Sequence, residues 1–177
     1  MIETMIKRIA IIGPESSGKS ELTRALAAKY ETGWVPEYAR EYLTGLGQPY
    51  SESDVIAIYR KQWDQECYAL KFANNFLFID TEFIIGKVWY EHVFNKKCEY
   101  FDFMINQNPY DFYLLTLPDL PWEADPLREN PGKGVYFFDW YKNILEQHNL
   151  PYSIISGSGD DRLQCAIKSI VQYFSVS

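Results

Sequence analysis

An apolar run, Ile9-Ala10-Ile11-Ile12, leads directly into Gly13-Pro14-Glu15-Ser16-Ser17-Gly18-Lys19-Ser20, and a helix-forming run from Glu21 to Tyr30 follows. The octapeptide fits G-x-x-x-x-G-K-[ST] in the strand–loop–helix setting that this phosphate-binding pattern requires. Gly13 and Gly18 permit backbone angles that a Cβ would forbid, so successive N–H groups can turn inward around phosphate oxygens. The helix that starts near Gly18 or Lys19 adds its positive N-terminal end. Lys19 can reach the outer phosphates and Ser20 can ligate Mg²⁺. The candidate nucleotide-binding set is Gly13, Glu15, Ser16, Ser17, Gly18, Lys19, Ser20 and Glu21. The expected cofactors are ATP and Mg²⁺.

A chain of 177 residues with 47% apolar and 23% charged residues is long enough for one full α/β core. We expect a single domain over residues 1–177. The net charge of −7 argues against a broad nucleic-acid surface. Cys67, Cys98 and Cys165 are far apart and odd in number, which suggests no disulfide framework and fits a reducing cytoplasm. Met1 to Arg8 lacks the apolar core and cleavage site of a leader, and no apolar run has the length of a membrane span. With only His92 and His148 present, a histidine-rich metal site is not expected. Oligomeric state stays open.

Met5 to Ile12 reads as a strand buried on both faces of a parallel sheet. The first helix is expected over residues 18–30, with Leu22, Ala25, Leu26 and Ala28 or Lys29 as its apolar stripe. Thr32 to Pro36 is a short extended segment that Pro36 ends. Glu37-Tyr38-Ala39-Arg40-Glu41 follows at its carboxyl end, where open α/β sheets place ligand residues. A solvated helix start with an intrahelical ion pair explains Glu37 and Arg40 equally well. Residues 44–51 read as a loop. A long helix is expected over 54–74, with Val55, Ile58, Tyr59, Trp63, Cys67 and Leu70 or Lys71 packed inward and Arg60 and Gln62 available to line a cleft.

Phe76-Leu77-Phe78-Ile79-Asp80 is a buried strand that ends in an acid, placed to orient Mg²⁺ beside the phosphate loop. Helices are expected over 83–94 and 99–107, a fourth strand over 111–116, a helix over 135–148 (with Tyr136, Trp140, Ile144 and Gln147 or His148 spaced along it), a fifth strand over 151–155 and a last helix over 162–174. Asn95-Lys96-Lys97-Cys98 lacks the closing Asp of a guanine-reading motif. Residues 117–133 contain Pro118, Pro121, Pro126 and Pro131, which exclude regular structure. A loop of this length is either functional or passive surface. With Trp122, Glu123, Asp125 and Arg128 on it, we read it as a lid over the nucleotide, Arg128 neutralising charge on a transferred phosphoryl group.

Five β/α units behind an N-terminal phosphate loop describe P-loop kinases and NTPases in general. Four blocks narrow this: Gly13 to Ser20 with its Glu-Ser-Ser interior, Glu37 to Glu41, Phe78-Ile79-Asp80-Thr81-Glu82, and Ala124-Asp125-Pro126-Leu127-Arg128. Together, and in order, they closely resemble the kinase domain of the NadR family, a nicotinamide riboside kinase. The resemblance implies a three-layer α/β P-loop fold with parallel strands in the order 2-3-1-4-5. It implies transfer of the ATP γ-phosphate to the 5′-hydroxyl of a small-molecule nucleoside. Lys19, Glu37, Asp80 and Arg128 are then the candidate catalytic residues, and Glu37, Tyr38, Arg40 and Asp80 the candidate substrate-binding residues. Ser20 and Asp80 are the candidate Mg²⁺ ligands. Glu37 is favoured as the hydroxyl-side acid and Asp80 as the metal-side acid, with the reverse assignment open. Tyr59 and Trp89 are further candidates for a flat cationic ring.

The sequence departs from that family at Glu82, where an Asp is frequent, and within Asp-Pro-Leu-Arg, where a Gly is common. His92 and His148 do not supply the His-x-x-His motif of the family's adenylyltransferase domain, so only the kinase half of the chemistry is expected. A second reading is a P-loop ATPase that works as a nucleotide-dependent switch on a protein partner, with Glu37 or Glu82 positioning water.

Overall fold

The computed structural model describes residues 5–175. The part of the leader and domain expectations that falls on Met1–Thr4, Val176 and Ser177 lies outside the described residues. Five strands form one parallel sheet: β1 (Lys7–Ile12), β2 (Trp34–Val35), β3 (Phe76–Asp80), β4 (Phe112–Thr116) and β5 (Tyr152–Ile155). Their order is β2-β3-β1-β4-β5, as the resemblance implied. β1 lies between β3 and β4 in register Ile9↔Phe78 and Ile9↔Phe112. Ile9 to Ile12 are fully buried because helices cover both faces, which is why β1 reads as an unbroken apolar run.

Among the described residues seven helices connect and cover the strands: α1 (Lys19–Lys29), α2 (Tyr38–Leu46), α3 (Glu52–Ala69), α4 (Phe83–Phe94), α5 (Glu99–Asn106), α6 (Gly134–Gln147) and α7 (Gly159–Ser175). One core layer packs α3 to α6 on one face of the sheet. The other packs α1 and α7 on the opposite face, through Leu22, Leu26, Ala166 and Ile170. No helix among the described residues is long and apolar enough to cross a membrane.

Several element boundaries differ from the sequence reading. The loop expected over 44–51 begins later, because α2 continues to Leu46 and stops at Gly47, whose φ of 66° is left-handed. α3 starts earlier, where the Asp54 carboxylate accepts the Ser51 N–H at 2.8 Å, and it ends at Ala69 before a 3₁₀ turn, Leu70–Phe72. Cys67 is exposed rather than inward. Its neighbour Glu66 is buried instead, because Arg8 of β1 reaches it at 2.6 Å and Tyr110 donates to it at 3.1 Å.

Two stripes are also rotated by about one position. On α1 the buried set is Leu22, Thr23, Leu26 and Ala27, with Ala28 and Lys29 outside. On α6 it is Phe137, Phe138, Tyr141, Ile144 and Leu145, while Tyr136 is exposed.

Candidate active site

The site forms at the carboxyl ends of the strands. The chain leaves β1 through Gly13 at φ 150°, where a Cβ would stand 2.8 Å from the Thr116 carbonyl oxygen. Ser17 secures the loop from beneath: its hydroxyl donates to the Pro14 carbonyl at 2.7 Å and meets Thr116 Oγ1 at 2.6 Å. Gly18, at φ 74°, starts α1 without a side-chain cap, so the first N–H groups of the helix stay available to an anion. Lys19 folds over the loop and donates to the Pro14 carbonyl at 2.8 Å. This is a cradle that only glycine geometry allows, with one ammonium across its mouth. Its donors fit a polyphosphate.

The two acids of the sequence reading converge here from separate strands. Asp80 ends β3 and is 1% exposed. Burial pushes its carboxyl up, while the Lys19 charge and hydrogen bonds from Ser20 and Thr81 pull it down. Ser20 and Asp80 are therefore paired oxygens of the hard kind that Mg²⁺ takes. Among the described residues no cluster of three or more His, Cys, Asp or Glu suits a metal ion. A metal here would draw its remaining ligands from the nucleotide and water.

Glu37 holds the N-cap position of α2 yet makes no capping hydrogen bond, so its carboxylate is left for the cavity. Burial pushes it up first, then the charge of Asp80, against the pull of Lys19 and Arg40.

A cavity of about 700 Å³ takes in the phosphate loop, Glu37 and a chamber of aromatic side chains. That volume is typical of small-molecule sites. All eight residues of the candidate nucleotide-binding set line it. Glu37, Arg40, Arg128, Tyr59 and Trp89 line it too. Asp80 lies just behind the wall, which Thr81 forms in its place. Tyr38 does not line this cavity. It faces a shallow neighbouring cleft and packs edge-on against Tyr42. Gln62 does not line a cleft either; it is buried under the site, and Arg60 lies exposed over the Tyr100 ring.

The structure adds wall residues that the sequence reading passed over: Tyr50, Ile85, His92, Phe137 and Tyr141. Trp89 Nε1 donates to the Tyr50 hydroxyl at 3.1 Å, and that hydroxyl donates to Glu129 at 2.9 Å.

Residues 117–133 carry no helix or strand and lie across the phosphate loop. Glu15 accepts the N–H groups of Glu129 and Asn130, the Ser16 hydroxyl accepts the N–H of Glu123 at 3.2 Å, and Arg40 pairs with Asp125 at 2.9 Å. Arg128 donates to the Glu123 carbonyl at 2.5 Å. Beneath the far end, Arg162 of α7 is 3% exposed. It donates to the carbonyls of Ser17 at 2.9 Å and Gly157 at 2.7 Å and pairs with Asp119.

A family model described as an AAA domain matches residues 8–162. The chain belongs to this AAA-domain family. Family membership accounts for the nucleotide-binding loop and its setting at the end of β1. The trifunctional NAD biosynthesis/regulator protein NadR of Escherichia coli K12 is 30% identical over 83% of this chain and 37% of its own length. The chain thus spans little more than a third of that relative. A crystal structure of NadR in complex with NR superposes with a TM-score of 0.82 at 22% identity, over 98% of this chain and 53% of the other. Deoxyadenosine kinase from M. mycoides superposes at 0.64 with 12% identity, over 93% and 99% of the two chains. These likenesses in structure establish the three-layer P-loop fold.

Proposed function

We propose that this chain is an ATP- and Mg²⁺-dependent nucleoside kinase that phosphorylates the 5′-hydroxyl of nicotinamide riboside to give nicotinamide mononucleotide, a step of NAD biosynthesis. The observation that carries the reading is the position of Glu37. It lines the same cavity as the phosphate loop and an aromatic chamber walled by Tyr59, Trp89 and Tyr141. A nucleotide-hydrolysing switch has no use for that chamber, whereas a kinase needs room for an acceptor. Tyr59, Trp89 and Tyr141 suit a flat cationic ring there. NadR, to which the chain is similar, has been solved with NR bound.

In this reading the acceptor oxygen attacks the γ-phosphorus, its proton passes to Glu37, and the bond to the β-phosphate oxygen breaks to release ADP. Glu37 suits the role of base because its raised proton affinity brings it closer to the working pH than a solvated carboxylate. Lys19 and Arg128 offset the charge that spreads over the transferred group. Ser20 and Asp80 would hold Mg²⁺, which would supply positive charge to offset that of the phosphates. Residues 117–133 act as the lid, and Arg40 fixes it through Asp125. The free thiols fit a cytoplasmic setting.

The test is ADP formation with Mg²⁺ against a panel of nucleosides. Stimulation by nicotinamide riboside with an equal yield of its 5′-phosphate supports the reading. Steady hydrolysis indifferent to every nucleoside contradicts it and favours the switch.

A further inference from the structure

We infer that Gln62 is the positioning residue that sets the spacing of Glu37 and Asp80 across the transfer site. The inference rests on the kinase reading for what the two acids do, and on geometry for what Gln62 does. Gln62 projects from α3 and is 2% exposed. A carboxamide has one acceptor and two donor hydrogens. Here the acceptor takes the backbone N–H of Tyr38 at 3.1 Å. The amide nitrogen donates to the Asp80 carbonyl at 3.1 Å and to the Thr81 carbonyl through a short bond. One side chain therefore grips the residue after Glu37 and both residues of the turn that carries Asp80.

The sheet explains why such a grip is needed. β2 pairs with β3 over only Trp34↔Phe78 and Val35↔Ile79. The next residue on β2 is Pro36, which has no N–H to continue the ladder. The pairing stops just before the two acids. Gln62 bridges the same two segments one step further on, where backbone pairing has run out.

The Thr81 turn needs holding as well. Its φ of 72° is left-handed in a β-branched residue, a strained conformation that persists only where the surroundings impose it. A side chain whose only task was to fill the core would be apolar here, since a buried amide without partners is costly.

Two variants test the inference. Gln62→Met keeps the side-chain length and removes all three hydrogen bonds. Gln62→Asn keeps an uncharged amide on an arm one methylene shorter, which cannot span all three partners, and carries the test if the methionine variant does not fold. Each is read by kcat, by KM for ATP, and by NMR titration of the ¹³C-labelled Glu37 carboxyl in the full chain with ADP bound and no nucleoside present.

We expect kcat to fall about 100-fold, the loss typical of a misplacement near 1 Å. KM for ATP should stay within about threefold, because the phosphate loop is held from elsewhere. The Glu37 titration should move, because its distance from Asp80 changes. A merely structural glutamine would lower the melting temperature and leave both kcat per folded molecule and the Glu37 titration unchanged; that result overturns the inference. If the wild-type protein phosphorylates no nucleoside, the kinase reading falls, and the titration alone then decides for or against Gln62.

Discussion

The Glu15 carboxylate accepts the backbone N–H of Asn130 at 3.0 Å, so an acid inside the phosphate loop holds the proline-rich segment by its main chain. The Glu129 N–H completes the clasp at 3.1 Å. A carboxylate at the mouth of a phosphate site is otherwise repulsive, and two N–H donors blunt that repulsion. The same contact explains how a segment without regular structure keeps one position over the cavity.

Glu15→Ala is expected to free that segment. Hydrogen bonds to a charged acceptor contribute about 1.5–3 kcal/mol, and the partial exposure here puts this pair at the low end. We expect kcat/KM for ATP to fall about tenfold, since 1.4 kcal/mol is one decade. Amide exchange over residues 123–131 should rise with little change in melting temperature. Unchanged exchange there would show that Glu15 does not hold the lid.

Lys19→Ala removes the ammonium that spans the loop while leaving the Gly13 and Gly18 geometry intact. Turnover should fall by about three decades or more, the scale of a lost transition-state charge contact. Circular dichroism and melting should stay close to wild type, because the part-exposed Lys19 ammonium donates to the Pro14 carbonyl and the side chain packs in no core layer. A variant with a tenth of wild-type turnover would remove Lys19 from the catalytic set.

Glu82 gives a pH-dependent stability. It caps α4 by accepting the Ile84 N–H at 2.8 Å, while its other oxygen is buried without a hydrogen-bond partner among the described residues. Burial pushes its carboxyl up to about 8 from an ordinary 4.5. Below pH 4.5 both folded and unfolded chains hold the proton. Between about 4.5 and 8 only the folded chain holds it, so stability falls as pH rises through that window and levels off above it. Glu66, raised to about 7 by burial against the pull of Arg8, adds a slope of the same sign. Glu82→Gln should therefore match wild type near pH 4.5 and exceed it by about 1 kcal/mol or more at pH 8. Urea unfolding at the two pH values checks this; a difference independent of pH would mean that Glu82 is ionised in the fold.

Arg162→Met should loosen the phosphate loop from behind. It removes donors to Ser17 and Gly157 and leaves Asp119 without its cation. With Asp119 part-exposed, the expected cost is about 2–3 kcal/mol of stability. ADP affinity should weaken about tenfold. Calorimetry of ADP binding and thermal unfolding read the two effects separately. Full ADP affinity in a folded variant would show that the Ser17 carbonyl needs no support.

The strands and the phosphate loop were legible because their chemistry is local. Gly13, Gly18, Lys19 and Ser20 announce a backbone geometry, and a strand buried on both faces needs an unbroken apolar run such as Ile9–Ile12. The four short blocks carried the resemblance to NadR and with it the strand order. The aromatic chamber was only half legible. Val135-Tyr136-Phe137-Phe138-Asp139-Trp140-Tyr141 is apolar on nearly every side, so the Tyr136–Trp140 and Phe137–Tyr141 stripes fit the pattern equally and only packing against α4 chooses. Glu66, Gln62 and Arg162 were hidden for another reason. Glu66 and Arg162 read as surface residues in their own helices and Gln62 as a cleft residue, yet each is buried because a distant backbone or charge meets it: Arg8, the Ser17 carbonyl and the Asp80 turn.

The central claim, that the phosphoryl group goes to a nucleoside rather than to water, is tested most directly by following its label. Nicotinamide riboside, [γ-³²P]ATP and Mg²⁺ are incubated with the wild-type chain and with Glu37→Gln, and the labelled products are separated. The account predicts label in nicotinamide mononucleotide with wild type, about 100-fold less with Glu37→Gln at similar ATP affinity, and little inorganic phosphate with either. Label that appears only as inorganic phosphate, at a rate indifferent to the nucleoside, would contradict it.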